Sequence, residues 1–113
     1  MWRDPAWLLD MLTAAQKVRG YVAGLDEAQF LASSRDQDAV LRQLTVLGEA
    51  AKRVSQEFRA DHPEIPWRQI AGLRDVVVHD YLLVDLEEVW RITQEDVPPL
   101  IARMVPLLPP AEE

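Results

Sequence analysis

With 113 residues, about half of them apolar, the chain fits one domain with a modest core and has little room for a second. It has no cysteine, which excludes disulfides and thiolate metal sites. Twelve basic residues against nineteen acidic ones leave a net charge of −7, which argues against bulk, nonspecific nucleic-acid binding.

Met1-Trp2-Arg3-Asp4-Pro5 opens without a basic-then-apolar leader, and no run of about 18 apolar residues follows, so a soluble cytoplasmic protein is expected. Asp4-Pro5 reads as a helix start, a capping carboxylate followed by a proline in the first turn. Trp7, Leu8, Met11, Leu12, Ala15, Val18 and Val22 continue at helical spacing, with Gly20 or Gly24 as the stop. Asp26 to Leu31 reads as a turn or short helix closed by Ser33-Ser34. The strongest periodicity runs from Asp36 to Phe58. There Val40, Leu44, Leu47, Ala51, Val54 and Phe58 alternate at spacings of four and three, which predicts one long helix. Its opposite face carries Arg42, Glu49, Lys52, Arg53 and Gln56.

Asp61 to Pro66, with two prolines, breaks the chain. From Trp67 to Leu83 the valines favour strand by propensity. No second strand exists to pair with it, so a helix from about Trp67 to near His79 is expected. Asp85 then caps a last helix, whose stripe is Leu86, Val89, Trp90, Thr93, Val97, Leu100, Ile101, Met104 and Leu108. Pro98-Pro99 predicts a kink or break, with Asp96 capping the restart. Pro106, Pro109 and Pro110 mark a frayed tail over 106–113. The expected fold is all-α, a single-domain antiparallel bundle of four to five helices over 1–113, and dimerisation would bury more apolar surface.

Acidity is concentrated at the two ends. Between Arg35 and Arg74, seven basic residues (Arg35, Arg42, Lys52, Arg53, Arg59, Arg68, Arg74) face six acidic ones (Asp36, Asp38, Glu49, Glu57, Asp61, Glu64), which leaves room for a local cationic site.

One segment goes further than composition. Arg74-x4-His79-x-Tyr81 resembles the R-x4-H-x-Y signature of HepT-like toxins in the HEPN superfamily. Its flanks are also similar: Gly48-Glu49-Ala50-Ala51-Lys52-Arg53 and Pro66-Trp67 before it, Val84-Asp85-Leu86 and Val89-Trp90 after it. The resemblance covers roughly Asp4 to Leu108 and implies a metal-independent endoribonuclease toxin of a type II toxin–antitoxin system. It also implies a homodimer in which Arg74 and His79 of both subunits face a shared cleft.

The residue types suit that chemistry. Histidine titrates near neutrality, so His79 can act as base or acid toward a ribose 2′-OH. Arginine stays charged and offers a planar fork to phosphate, so Arg74 is the candidate clamp for the transition state. Asp75 lies four residues before His79 on the same helical face and could fix the imidazole tautomer. Arg74 and His79, five apart, sit about 140° round a straight helix, which favours a site completed by two subunits or by the helix ending near His79.

The resemblance further implies that Tyr81 is AMPylated by a cognate MntA-like nucleotidyltransferase antitoxin, which would add negative charge beside the cleft. Taken alone, Tyr81 reads as a core residue with its hydroxyl at the rim. Arg53, Lys52, Arg68 and Glu49 are the candidates for lining the RNA cleft, although Glu49 and Arg53, one turn apart, equally suit an ion pair. With two histidines and no cysteine, no metal site and no cofactor are expected. The alternative is a non-catalytic helical partner subunit of a nucleotidyltransferase, a reading to which the acidic charge lends weight.

Overall fold

The computed structural model describes residues 3–79 and 84–108, with backbone alone for residues 74–79. All regular structure among the described residues is helical. Helix α1 (Asp4–Val22) buries Leu8, Met11, Leu12, Ala15, Val18 and Val22, the stripe its spacing predicts. It stops at Ala23, and Gly24 takes φ +80° just beyond, a left-handed conformation that glycine adopts without a Cβ clash. The short α2 (Glu27–Leu31) is fixed by a reciprocal box, in which Asp26 accepts from the Gln29 N–H while Gln29 accepts from that of Asp26. Helix α2 delivers Phe30 to the core, where its ring lies 5.5 Å from Trp90.

The long helix expected over Asp36–Phe58 is two helices. Helix α3 (Ser34–Arg53), capped by Ser33, ends where Val54 turns extended, and α4 (Gln56–Asp61) begins at once. Ser55 makes the break. Its Oγ accepts from the Phe58 N–H and caps α4, while its own N–H and hydroxyl donate to the Asp4 carboxylate at 2.9 and 2.7 Å. The apolar stripe runs on through Val54 to half-buried Phe58 across this break, so periodicity alone did not reveal it.

Asp4 therefore has a different part from the expected cap. It stands in the first turn of α1 and reaches across to the α3–α4 junction, almost fully buried. Burial pushes its carboxyl pKa up, but hydrogen bonds, those from Ser55 among them, bring it below the ordinary aspartate value. A carboxylate of lowered folded pKa stabilises above its unfolded value, and that stability disappears as pH falls through the folded one. Asp4→Ala is expected to cost about 1–3 kcal/mol near neutral pH, since it strands the Ser55 donors. The deficit should shrink in acid, and chemical denaturation of both proteins at neutral and acid pH checks it.

Helix α5 (Trp67–His79) is helical through the valine run, and the helical reading holds over the strand one. Asp85 caps α6 (Leu86–Arg91) by accepting from the N–H groups of Glu87 and Glu88. The kink or break expected at Pro98-Pro99 takes the form of a π-helical turn, Ile92–Asp96, leading directly into α7 (Val97–Met104), whose first turn holds both prolines. Residues 98 and 99 have no N–H to give, and the Val97 N–H reaches back five residues to the Ile92 carbonyl. That leaves the Thr93 carbonyl without its usual helical donor, and Arg19 of α1 supplies one at 2.9 Å. Asp96 makes no capping bond; it pairs with Arg91 at 3.0 Å across the π turn. A 3-10 turn, Val105–Leu107, follows. Of the tail expected to fray, residues 109–113 lie outside the described residues.

Four long segments thus pack together: α1, α3, α5 and the continuous α6–α7 run. Helix α3 is the hub, lying against both α1 and α5, while α7 closes on α1. Leu44, Leu47, Val40 and Ala51 of α3 are almost fully buried at its centre.

Candidate active site

The motif helix is positioned from its N-terminal end. Ile65, 1% exposed, anchors the preceding loop. The Trp67 indole N–H donates to the His62 carbonyl at 2.9 Å. The Phe58 ring packs on the His62 ring at 4.4 Å and meets Trp67 edge-on at 6.1 Å. Trp67 and Ile70 are buried, and α5 lies against α3. The sequence dictates this: Pro66 precedes the first turn, where a missing N–H costs nothing, and Trp67, Ile70 and Leu73 follow at helical spacing.

Arg74, Asp75 and His79 stand on the last two turns of α5. By register Arg74 is in line with Trp67, nearly two turns earlier, and Asp75 and His79 share another line about 140° away from Arg74 at His79. What their side chains do, and Tyr81 altogether, lies outside the described residues.

Three of the four remaining candidates divide between two grooves, and Lys52 lines neither. Glu49 and Arg53 line a groove of about 340 Å³ between α1 and α3, with Trp7, Asp10 and Arg42. The Arg53 guanidinium sits 5.2 Å over the Trp7 ring, a cation–π arrangement. Lys52 is exposed on α3. Arg68 instead lines an open groove of about 450 Å³ between α4 and α5, beside Gln56, Arg59, Trp67 and Ala71. Among the described residues, none lines both grooves. A third, of about 380 Å³, lies between α5 and α7; Leu73, the neighbour of Arg74, lines it with Leu47, Ile70, Leu100 and Arg103.

Arg59, counted among the basic residues of the middle stretch, was not singled out as a site residue from sequence. On one unbroken helix from Asp36 to Phe58, it is simply the next position. The turn at Ser55 sends α4 alongside the start of α5, and only that turn brings Arg59 next to Arg68. Ser55, a preferred N-cap residue type with Glu57 in the turn that follows, was the available signal for the cap. Among the described residues, no group of three or more His, Cys, Asp or Glu could hold a metal ion. No described helix is long and apolar enough to cross a membrane.

Comparison with known proteins adds the family. The family model for HepT-like ribonucleases (Ribonuclease HepT-like) matches residues 11–106. The chain is 36% identical over 94 residues to a protein of Thermococcus cleftensis named "Probable ribonuclease HepT", covering 83% of this chain and 86% of that one. Two candidate RNases of Methanocaldococcus jannaschii are also similar. MJ1380 is 34% identical over 93 residues, 82% of this chain and 85% of its own length. MJ0125 is 30% identical over 108 residues, 96% and 93% of the two chains. No solved structure gives a significant match.

Proposed function

This chain belongs to the HepT-like ribonuclease family of the HEPN superfamily, and on that footing we propose that it is a metal-independent endoribonuclease toxin of a type II toxin–antitoxin pair. The observation that carries the reading is Arg74-x4-His79-x-Tyr81, inside the matched residues, with Arg74 and His79 on one helix held against the bundle's central helix.

In this reading His79 takes the proton of a ribose 2′-OH, whose oxygen attacks the adjacent phosphorus. The 5′-oxygen of the next nucleotide leaves and is protonated, giving a 2′,3′-cyclic phosphate and a 5′-hydroxyl. Negative charge grows on the phosphoryl oxygens, where the Arg74 guanidinium stabilises it. Asp75, one helical turn before His79, orients the imidazole. A homodimer supplies two copies of Arg74 and His79 to one cleft and concentrates positive charge on a chain whose net charge is −7. All acid–base and electrostatic work is done by side chains, so cleavage should persist in excess chelator. Activity that disappears with EDTA and returns with a divalent ion would remove the metal-independent mechanism.

The antitoxin in this proposal is a minimal, MntA-like nucleotidyltransferase that joins AMP to the Tyr81 hydroxyl. Each phosphodiester adds negative charge two residues from His79 and competes with RNA for the cation. After co-expression with such an enzyme, intact-mass measurement should show whole AMP increments on the wild type and none on Tyr81→Phe. An unshifted wild-type mass would end this part of the proposal. The acidic charge also supports a second reading, a non-catalytic partner of the nucleotidyltransferase. It predicts the same mass increments but no RNA cleavage by the unmodified protein.

A further inference from the structure

We propose that Arg59 and Arg68 form an auxiliary phosphate subsite that grips the RNA strand several nucleotides from the bond being cut. This rests on the ribonuclease reading for its substrate, and on geometry and charge for its location. Both arginines line the groove between α4 and α5, and among the described side chains no carboxylate lines it with them. The other two grooves differ. The two arginines of the α1–α3 groove are balanced by Asp10 and Glu49. The α5–α7 groove carries Glu95 and Asp96 against Arg103. A polyanion is attracted where cations are uncompensated.

Among the described residues, no hydrogen bond or ion pair holds the guanidinium of Arg59 or Arg68, and the Arg59 Nε is covered by its neighbours without an acceptor. Arg59 is half-buried and Arg68 exposed, so both cations can be reached from solvent, and a phosphate is the ligand whose geometry and charge match a guanidinium. Ala71 also lines the groove, and its small side chain leaves room for a backbone to lie along the helix.

The groove also lies in the right direction. On the α5 helical wheel, Arg74 and His79 bound an arc of about 140°, and Trp67, Ala71 and Arg68 all fall inside it. The face that lines the groove is therefore the face that the two motif positions bracket. Arg68 precedes Arg74 by about 9 Å and His79 by about 16 Å along the axis, from the 1.5 Å rise per residue. A strand running along this face would meet Arg59 and Arg68 first and the motif two to three turns later.

The test uses purified, unmodified protein and a fluorescein-labelled single-stranded DNA of about a dozen nucleotides, a length typical of single-strand sites, which binds but has no 2′-OH to react. Anisotropy titrations at several salt concentrations compare wild type, R59Q/R68Q and R42Q, the last removing one charge from the α1–α3 groove. The double variant should bind about tenfold more weakly at low salt, with a log–log salt slope shallower by about 1.4, as loss of two phosphate contacts requires. R42Q should match wild type. Should the double variant fail the circular-dichroism check for folding, the single R68Q at an exposed position should flatten the slope by about 0.7.

Wild-type affinity and slope in the Arg68 variants, an equal loss in R42Q, or no binding by wild type would overturn the subsite. Cleavage of the equivalent RNA is scored separately. Binding that depends on Arg59 and Arg68 without any cleavage would keep the subsite and remove the ribonuclease reading. Cleavage with binding indifferent to both arginines would do the reverse.

Discussion

His79→Ala should lower RNA cleavage by about 10²- to 10⁴-fold, the range over which a positioned general acid–base acts. The fold should be untouched, because the core is built elsewhere: Met11, Val18, Phe30, Leu44, Leu47 and Met104 are almost fully buried and lie on α1, α2, α3 and α7. Arg74→Ala should fall by a similar factor through loss of charge stabilisation. Arg74→Lys should recover only part of it, since an ammonium keeps the charge but not the bidentate fork. Steady-state cleavage of a defined RNA, with circular dichroism as the fold control, measures all three. Cleavage equal to wild type in His79→Ala would remove His79 from the chemistry.

The second large effect is on stability and reaches the site through the scaffold. Leu47 is 1% exposed on α3 and lies where α3, α5 and α7 meet, beside Ile70, Leu73, Val97 and Leu100. Leu47→Ala should cost about 2–5 kcal/mol, combining lost transfer energy with the cavity left behind. Against a typical total of about 5–15 kcal/mol, that lowers the melting temperature by about 10 °C or more. Leu47→Met keeps the volume and should cost less than about 1.5 kcal/mol. Because Leu73 and Ile70 seat α5, amide exchange along α5 should accelerate in Leu47→Ala more than in α1. Equal acceleration in both helices would mean that Leu47 stabilises the bundle as a whole without specifically seating the motif helix.

How much of this was legible in the sequence follows from which forces are local. The stripes of α1 and the last helix, the Asp85 cap and the Asp61–Pro66 break all come from near-neighbour spacing, and α5 is helical as the absence of a partner strand implied. The resemblance of Arg74-x4-His79-x-Tyr81 and its flanks likewise agrees with the family that comparison supplies. The failures involve partners far apart in the chain. Ser55 breaks the long helix with Asp4 at its back, 51 residues away. The prolines at 98 and 99 do stand in the first turn of a restarted helix, but the Asp96 cap is absent, and Arg19, 74 residues from Thr93, takes up the carbonyl that the π turn exposes. Arg59 was invisible as a site residue for the same reason, since its neighbour Arg68 is set by the turn at Ser55. The two grooves that separate Arg53 from Arg68 depend on how helices lie side by side, which periodicity does not encode.

The most direct measurement is the chemistry of the RNA ends left by purified, unmodified protein in excess chelator. Cleavage by 2′-OH attack predicts 2′,3′-cyclic phosphate and 5′-hydroxyl ends from wild type, with both lost in His79→Ala and Arg74→Ala. Intact RNA, ends carrying a 3′-hydroxyl, or the same products from either variant would contradict it.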